Sequence, residues 1–546
     1  MNYSLPLVLP ILCSPLVSAQ ETRLLAADTA AYDELGYTVA LGDGLALVGA
    51  PYDSDLGPFS YTGSAYFFDA NPVSPTYGQQ LLKLTSSTQG TGDRFGRSVA
   101  LGNGLALLAK DGDDSVSVFN AIPTSPAFGS ELTILTVTGW NHFDWFGTDV
   151  AIDGELALIG GLGDDASGNP TGCAHLFNVN PSSPSFGQDI LKLTASDGQD
   201  YDYFGWRVSL DGGLALIGAP MDDDLGSTSG SAYIFDANPS SATFGQELIK
   251  LTASNGSTSD EFGSSVSLEG GLALIGAQYG DGSGNRTGVA YLFDANLTSP
   301  TFGQELAKLE ATGGAYDDRF GCDVTLDGKQ ALVGAYGVDG SMSFSGSAYY
   351  FDVDTTSASF GTQLTQVLPA DGTSTWFGYC VDLEGGLALV GENKDSDLFS
   401  SAGSAYLFGL PCGIDHVCVT SPNSVGLGAS LSATGSTSVA ANDLVLLARS
   451  LPANQFGIIF YGRDPVQIPF GNGIRCIGGG QLFRFSPIQS SSGGLVNWPL
   501  DVTTPPFAAG QITPHSTWHF QFWYRDPLAG GANFNLSDAL RITFCP

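Results

Sequence analysis

The sequence predicts an all-β protein, a seven-bladed β-propeller followed by a small β-sandwich domain. Three observations carry this. A Phe-Gly pair recurs at Phe95-Gly96, Phe146-Gly147, Phe204-Gly205, Phe262-Gly263, Phe320-Gly321 and Phe377-Gly378, with Leu35-Gly36 as a degenerate first copy. The glycine spacings of 60, 51, 58, 58, 58 and 57 residues define seven units. Each unit holds strand-like stretches between glycine-rich turns and shows no helical periodicity. From Pro411 onward the repeat, the acidity and lysine all disappear.

Taken in chain order, residues 1–19 read as an export signal. An apolar stretch over 5–12 is followed by Val17-Ser18-Ala19, a small-residue cleavage signal, so cleavage is expected near Ala19. This stretch is too short to span a bilayer, and no later segment has 18 uninterrupted apolar residues. The propeller is expected over 20–410. Its clearest unit, 189–245, starts with the half-exposed alternation ILKLTA at 190–195 and continues with FGWRVSL at 204–210. An Asp-Gly-Gly turn leads to LALIGA at 214–219, apolar on both faces as a strand between two sheets must be, and SAYIFD at 231–236 is the fourth strand. The first strand-like stretch, 23–27, matches the ILKLT type, and none follows SAYLF at 404–408. The N-terminal strand is therefore expected to complete the seventh blade and leave no exposed edge at the seam.

Asp202-Tyr203-Phe204-Gly205 with the following LALIGAP at 214–220 resembles the FG-GAP repeat, best known from integrin α-subunit propellers. Residues 53–68 and 222–235 resemble its bacterial form, with an acidic loop before Ser-Gly-Ser-Ala-Tyr or its close variant. The resemblance covers roughly 22–410 and implies an extracellular seven-bladed binding or adhesion module. Calcium-binding members carry an Asp-x-Asp-x-Asp-Gly loop between the first two strands. Here that connection is Asp211-Gly212-Gly213 or Glu269-Gly270-Gly271, too short to wrap an ion, so the family's calcium site does not carry over.

The net charge of −36 argues against a nucleic-acid partner. Residues 20–410 hold 49 acidic and 13 basic side chains, whereas the C-terminal part is balanced with six of each. Two loops on one propeller face carry many of the carboxylates. The loop approaching Phe-Gly supplies Asp33, Asp93, Asp144, Asp202, Asp260 and Asp318, for which a turn-forming role is expected; the seventh unit has Thr375. The loop after Gly-Ala supplies Asp53 and Asp55, Asp164 and Asp165, Asp222, Asp223 and Asp224, Asp281, Asp339, and Asp395 with Asp397. The pairs at i and i+2 resemble the first half of an oxygen-ligand loop, making Asp53, Asp55, Asp222, Asp223, Asp224, Asp395 and Asp397 candidate calcium ligands. They lack a later bidentate Glu, so ligands must be borrowed, for example from the approach loop. The competing reading is a solvated acidic face.

Residues 411–546 read as a β-sandwich, with short β-prone stretches at 444–448, 456–461 and 518–524. The stretch 518–544, with Tyr524-Arg525-Asp526-Pro527 and Asn535-Leu536-Ser537-Asp538, resembles a terminal domain of exported planctomycete-type proteins. Trp518, Trp523 and Tyr524 are candidates for sugar stacking or core packing, core packing being favoured. His515 and His519 are weak metal candidates. In an exported chain disulfides are expected: Cys412 with Cys418 and Cys476 with Cys545, with Cys322 and Cys380 open and Cys173 buried.

No GxSxG, P-loop, HExxH or dinucleotide motif is present. The expectation is an exported, non-enzymatic binding or adhesion protein using the acidic face, calcium-assisted or not, for an extracellular protein or polysaccharide ligand. The alternatives are a carbohydrate-active enzyme with a propeller catalytic domain and a structural envelope component. The enzyme reading requires a non-repeated cluster in one blade, for which Trp140, His142, Trp145 and Gly160-Gly161 of blade three are the candidates.

Overall fold

A computed structural model describes residues 21–544 except 73, 113, 138–144, 164–169, 283, 341–343, 358, 370–374, 410–412, 419, 438, 440–441, 479–481, 504–509 and 514–515. Residues 1–19, Cys412 and Cys545, Asp144, Asp164, Asp165, Trp140, His142 and His515 thus lie outside the described residues. The chain divides into two compact units, Glu21–Phe408 and the part from Gly409 onward.

The first unit is seven sheets of four antiparallel strands. Blade one runs outward from Thr38–Gly42 through Leu45–Ala50 and Ser64–Asp69 to Gln80–Leu84. The innermost strands of the other blades are Val99–Gly102, Val150–Asp153, Arg207–Asp211, Phe262–Glu269, Val324–Asp327 and Val381–Glu384. Each packs against the next and the last against the first, so the ring is closed. Blade seven obtains its outermost strand from the other end of the unit. Glu21–Leu24 pairs antiparallel with Ser404–Gly409, in a register running from Glu21 opposite Phe408 to Leu24 opposite Ala405.

Burial follows strand position. In blade four the middle strands Leu214–Ala219 and Ser231–Asp236 are buried throughout, because neighbouring blades cover both faces. The innermost strand Arg207–Asp211 alternates along the channel wall. Between these first two strands Gly212 (φ 57°) and Gly213 (φ 80°) form a two-residue turn with both residues left-handed, the connection that glycine favours.

Phe-Gly locks adjacent blades. Phe95, Phe204, Phe262, Phe320 and Phe377 are essentially inaccessible, and their backbones bridge Gly63, Gly172, Gly230, Gly288 and Gly346 of the preceding blade; Leu35 bridges Gly403 in the same way. Each of these rings also meets aromatic rings of its own third strand, as Phe204 does with Tyr233 at 5.4 Å and Phe235 at 5.8 Å. At Gly230 (φ 82°) a Cβ would overlap the Phe262 carbonyl oxygen, so the backbones approach this closely only through glycine. Blade two departs here. Asp114 (φ 47°) takes the glycine position, and its carboxylate accepts from Phe146 N at 3.3 Å.

The second unit packs a six-stranded sheet, containing Phe456–Gly462, Thr517–Arg525 and Phe534–Thr543, against the three-stranded sheet of Ser430–Thr434, Val445–Arg449 and Val496–Pro499. Leu431, Leu446 and Trp498 share one core with Tyr461, Trp518, Phe520 and Tyr524. Trp518 and Tyr524 are therefore core residues. Trp523 points to the opposite side, as strand alternation requires, and meets Phe534 at 5.5 Å. His519 is buried.

The expected cysteine pairing is corrected. Cys418 is paired with Cys476, with Cα atoms 6.2 Å apart, which removes both the Cys412–Cys418 and the Cys476–Cys545 bridges. Proximity in sequence misled the expectation, since the partner of Cys418 is brought up by a strand 58 residues away. Cys173 is buried, and Cys322 and Cys380 are free thiols.

Candidate functional site

The approach loop is built around its repeated aspartate. Asp33, Asp93, Asp202, Asp260 and Asp318 each accept a hydrogen bond from the backbone N–H three residues earlier, at 2.6–2.7 Å, and each is at most 7% exposed. These carboxylates close turns rather than face a ligand. Burial pushes Asp33 up to about 7 and Asp202 and Asp260 to about 6, against the opposing effect of the accepted N–H.

The candidate calcium ligands fall into three repeated clusters, each with a cation from the outermost strand at its centre. In blade one Lys83 Nζ lies 2.7 Å from Asp28, 2.8 Å from Asp53 and 2.8 Å from Asp55. The Tyr66 hydroxyl is within reach of Asp53 (2.9 Å) and Asp28 (3.0 Å). In blade four Lys250 Nζ lies 2.7, 2.9 and 2.5 Å from Asp197, Asp222 and Asp224, with Tyr233 again bridging two of the acids. In blade seven the Arg23 guanidinium pairs with Asp395 and, at 3.0 Å, with Asp397. Asp223 is not in the Lys250 cluster; its carboxylate accepts from Thr228 N at 2.6 Å.

The borrowed ligand is thus Asp28 or Asp197, seven residues before the Leu35 or Phe204 position, and not the turn aspartate. Asp28, Asp53 and Asp55 present oxygens within 4.8 Å of one another, close enough for one ion. Three carboxylates around an ammonium is nevertheless a different donor set from the six to eight oxygens that calcium takes, and calcium fits only if Lys83 leaves. Sequence reading missed the lysines. The available signal was that each pair of acids at i and i+2 coincides with Lys83, Lys250 or Arg23 at one fixed position of the ILKLT-type stretch.

The residue between the turn aspartate and Phe-Gly is the second feature missed. Glu34, Arg94, Trp145, Tyr203, Glu261, Arg319 and Trp376 all adopt φ between 50° and 65°. A left-handed conformation costs a side chain roughly 1–2 kcal/mol, and glycine or asparagine would relieve it. None of the seven positions uses either. Instead they carry large polar and aromatic groups, of which Arg94 and Trp145 line the mouth of the channel.

Arg94, Arg97 and Arg207 line this mouth and the channel below it, and these and two further propeller arginines each lie over an aromatic face. Arg97 lies 4.7 Å from the Tyr37 ring, Arg94 5.7 Å from Tyr52, Arg207 5.8 Å from Trp206, Arg286 4.4 Å from Tyr279, and Arg319 5.0 Å from Tyr336. Tyr336, Trp376, Tyr379, Tyr37 and Tyr52 continue as successive ring contacts of 5.1–6.0 Å. A cavity of about 690 Å³ descends between Tyr37, Arg94, Arg97, Asp111, Trp145 and Trp206 into the channel. Its deeper carboxylates stitch blades together. Asp149 accepts from Val208 N at 2.9 Å, Asp323 from Val381 N at 2.8 Å, and Asp382 from Leu41 N at 2.6 Å. Of the blade-three candidates, Trp145 stands at this mouth, half-exposed.

The FG-GAP repeat family matches at residues 19–68, 130–177, 188–235, 246–293, 304–351 and 362–408, skipping most of blade two. No curated protein matches the chain. Among solved structures, PorZ, a surface component of the type-IX secretion system of Porphyromonas gingivalis, is similar at a TM-score of 0.43 and 11% identity, over 96% of this chain and 61% of that one. A hypothetical selenium-binding protein of Sulfolobus tokodaii is similar at a TM-score of 0.42 and 10% identity, over 92% and 96%. Neither likeness carries an argument at those values. The six repeat matches span just over half of the residues and fall on a closed ring of seven four-stranded sheets, so the chain belongs to the FG-GAP repeat family.

Proposed function

We propose that this is an exported, non-enzymatic binding or adhesion module that engages an extracellular protein or polysaccharide at the mouth of its propeller channel. The observation that supports the reading is the left-handed residue before each Phe-Gly. Seven strained positions retain bulky side chains of four kinds, Glu, Arg, Trp and Tyr, where the backbone alone would favour glycine. The approach-loop aspartates do not serve as the contact surface, because they are buried in turns. Calcium in this reading is a competitor of Lys83, Lys250 and Arg23 and not a required component. Among the described residues no helix is long and apolar enough to cross a membrane.

The test is binding of the purified chain to an array of envelope polysaccharides and envelope proteins, comparing wild type with Arg94→Ala and Trp376→Ala. Binding that is lost in these variants and kept in Lys329→Ala, a residue of the first-to-second-strand turn of blade six, supports the reading. Binding unaffected by the mouth substitutions would remove it.

A further inference from the structure

The mouth is not uniform, and its most distinctive sector lies at blade two, the blade that the family pattern skips. There Gly49-Ala50-Pro51-Tyr52 of blade one is replaced by Ala109-Lys110-Asp111-Gly112, which places a carboxylate where blade one has Pro51. Arg94 Nη1 lies 3.2 Å and Arg97 Nε 3.3 Å from the same oxygen of Asp111, Oδ2. The other oxygen, Oδ1, is buried and has no hydrogen-bond partner among the described residues, although the side chain lines the cavity. An unpaired buried carboxylate oxygen is costly, and a ligand donor would satisfy it. Trp145, 49% exposed and held at φ 52°, lines the same cavity.

We infer that this sector is a carbohydrate site, taking a neutral pyranose against the Trp145 face with neighbouring hydroxyls between Asp111 and the two arginines. The inference rests on the proposed binding role and names the ligand class. A hydroxyl both donates and accepts, so adjacent hydroxyls match an acceptor oxygen set beside guanidinium donors. A carboxylate or phosphate ligand would confront Asp111 Oδ1 with a second acceptor, in the field of a chain of net charge −36. A cationic side chain would meet two arginines. The exposed indole supplies the flat apolar platform, and the cavity of about 690 Å³ lies within the range of small-ligand sites, about 300–1,000 Å³. A packing role alone would bury Trp145 and pair Asp111 fully.

The test uses the full chain on an array of neutral gluco-, manno-, galacto- and xylo-oligosaccharides with polygalacturonate as the acidic control. The expected result is binding of at least one neutral oligosaccharide, weakened tenfold or more by Trp145→Ala and by Asp111→Ala, and unchanged by Trp523→Ala in the C-terminal unit. Melting is followed in parallel; should Asp111→Ala unfold, Trp145→Ala decides alone. Neutral-sugar binding insensitive to Trp145→Ala overturns the site. Binding of the acidic control alone, or capture of an envelope protein at the mouth with no oligosaccharide bound, overturns the ligand class while leaving the broader binding role standing.

Discussion

Replacing Lys83 with methionine tests whether the lysines hold the acidic clusters together. The substitution keeps the stem length and removes the ammonium, leaving Asp28, Asp53 and Asp55 with oxygens within 4.8 Å of one another. Breaking a fully buried ion pair costs about 3–5 kcal/mol. Here the Lys83 side chain is 20% exposed and the Asp53 side chain 10%, but Asp28 and Asp55 are 48% and 36% exposed, so solvent screens part of the repulsion. About 2 kcal/mol is the resulting expectation, a Tm loss of roughly 2–4 °C for a unit of this size. The pH dependence has a definite sign. Burial opposes ionisation of Asp28, yet hydrogen bonds from Lys83 and Tyr66 hold it below the usual carboxylate range. Its contribution is therefore present above the unfolded pKa near 4 and lost as pH falls through the lower folded value. Burial lowers and the three carboxylates raise the Lys83 value, with a net rise, so its contribution is complete below about 10. Scanning calorimetry at pH 4, 7 and 9 should show the Lys83→Met deficit at pH 7 and 9 and a smaller one at pH 4. Millimolar calcium should restore part of the loss in the variant and add little to wild type. Equal melting of both proteins at pH 7, or a larger calcium gain in wild type, would refute the reasoning.

Deleting residues 20–30 removes the strand that pairs with Ser404–Gly409 and the buried Leu24, so limited proteolysis should open blade seven first; first cuts in blade one contradict this. Gly230→Ala places a methyl group on the Phe262 carbonyl at φ 82°, and a loss of about 3 kcal/mol or more is expected from the clash and the left-handed strain together; unchanged melting would show that the inter-blade bridge contributes little. Asp202 and Asp260 have folded values raised by burial to about 6, so each binds protons more tightly folded than unfolded and its contribution falls as pH rises from about 4 to about 6. The double variant Asp202→Asn/Asp260→Asn should flatten the melting-versus-pH curve in that window, and an unaltered slope would assign it to other groups.

Much of this molecule was legible in one dimension because its order is periodic. Phe-Gly at intervals near 58 residues, the alternation in 190–195 and the doubly apolar 214–219 reflect contacts repeated inside every blade, so seven copies reinforce one local pattern. Even the closure by Glu21–Leu24 followed from counting strands. The turn role of Asp202 was readable for the same reason, since its partner Gln199 is three residues away.

What the sequence could not order was anything joining distant positions of different chemistry. Lys83 meets Asp28 from 55 residues away and Asp55 from 28, so the acidic residues could be listed from the sequence but the ammonium among them could not. Cys418 found Cys476 and not its near neighbour, because strand pairing and not chain distance sets which thiols meet. The channel cavity gathers residues from different blades. Arg94, Arg97 and Asp111 from blade two and Trp145 from blade three are unremarkable at their own positions. They line one cavity only because the ring closes and brings their blades together.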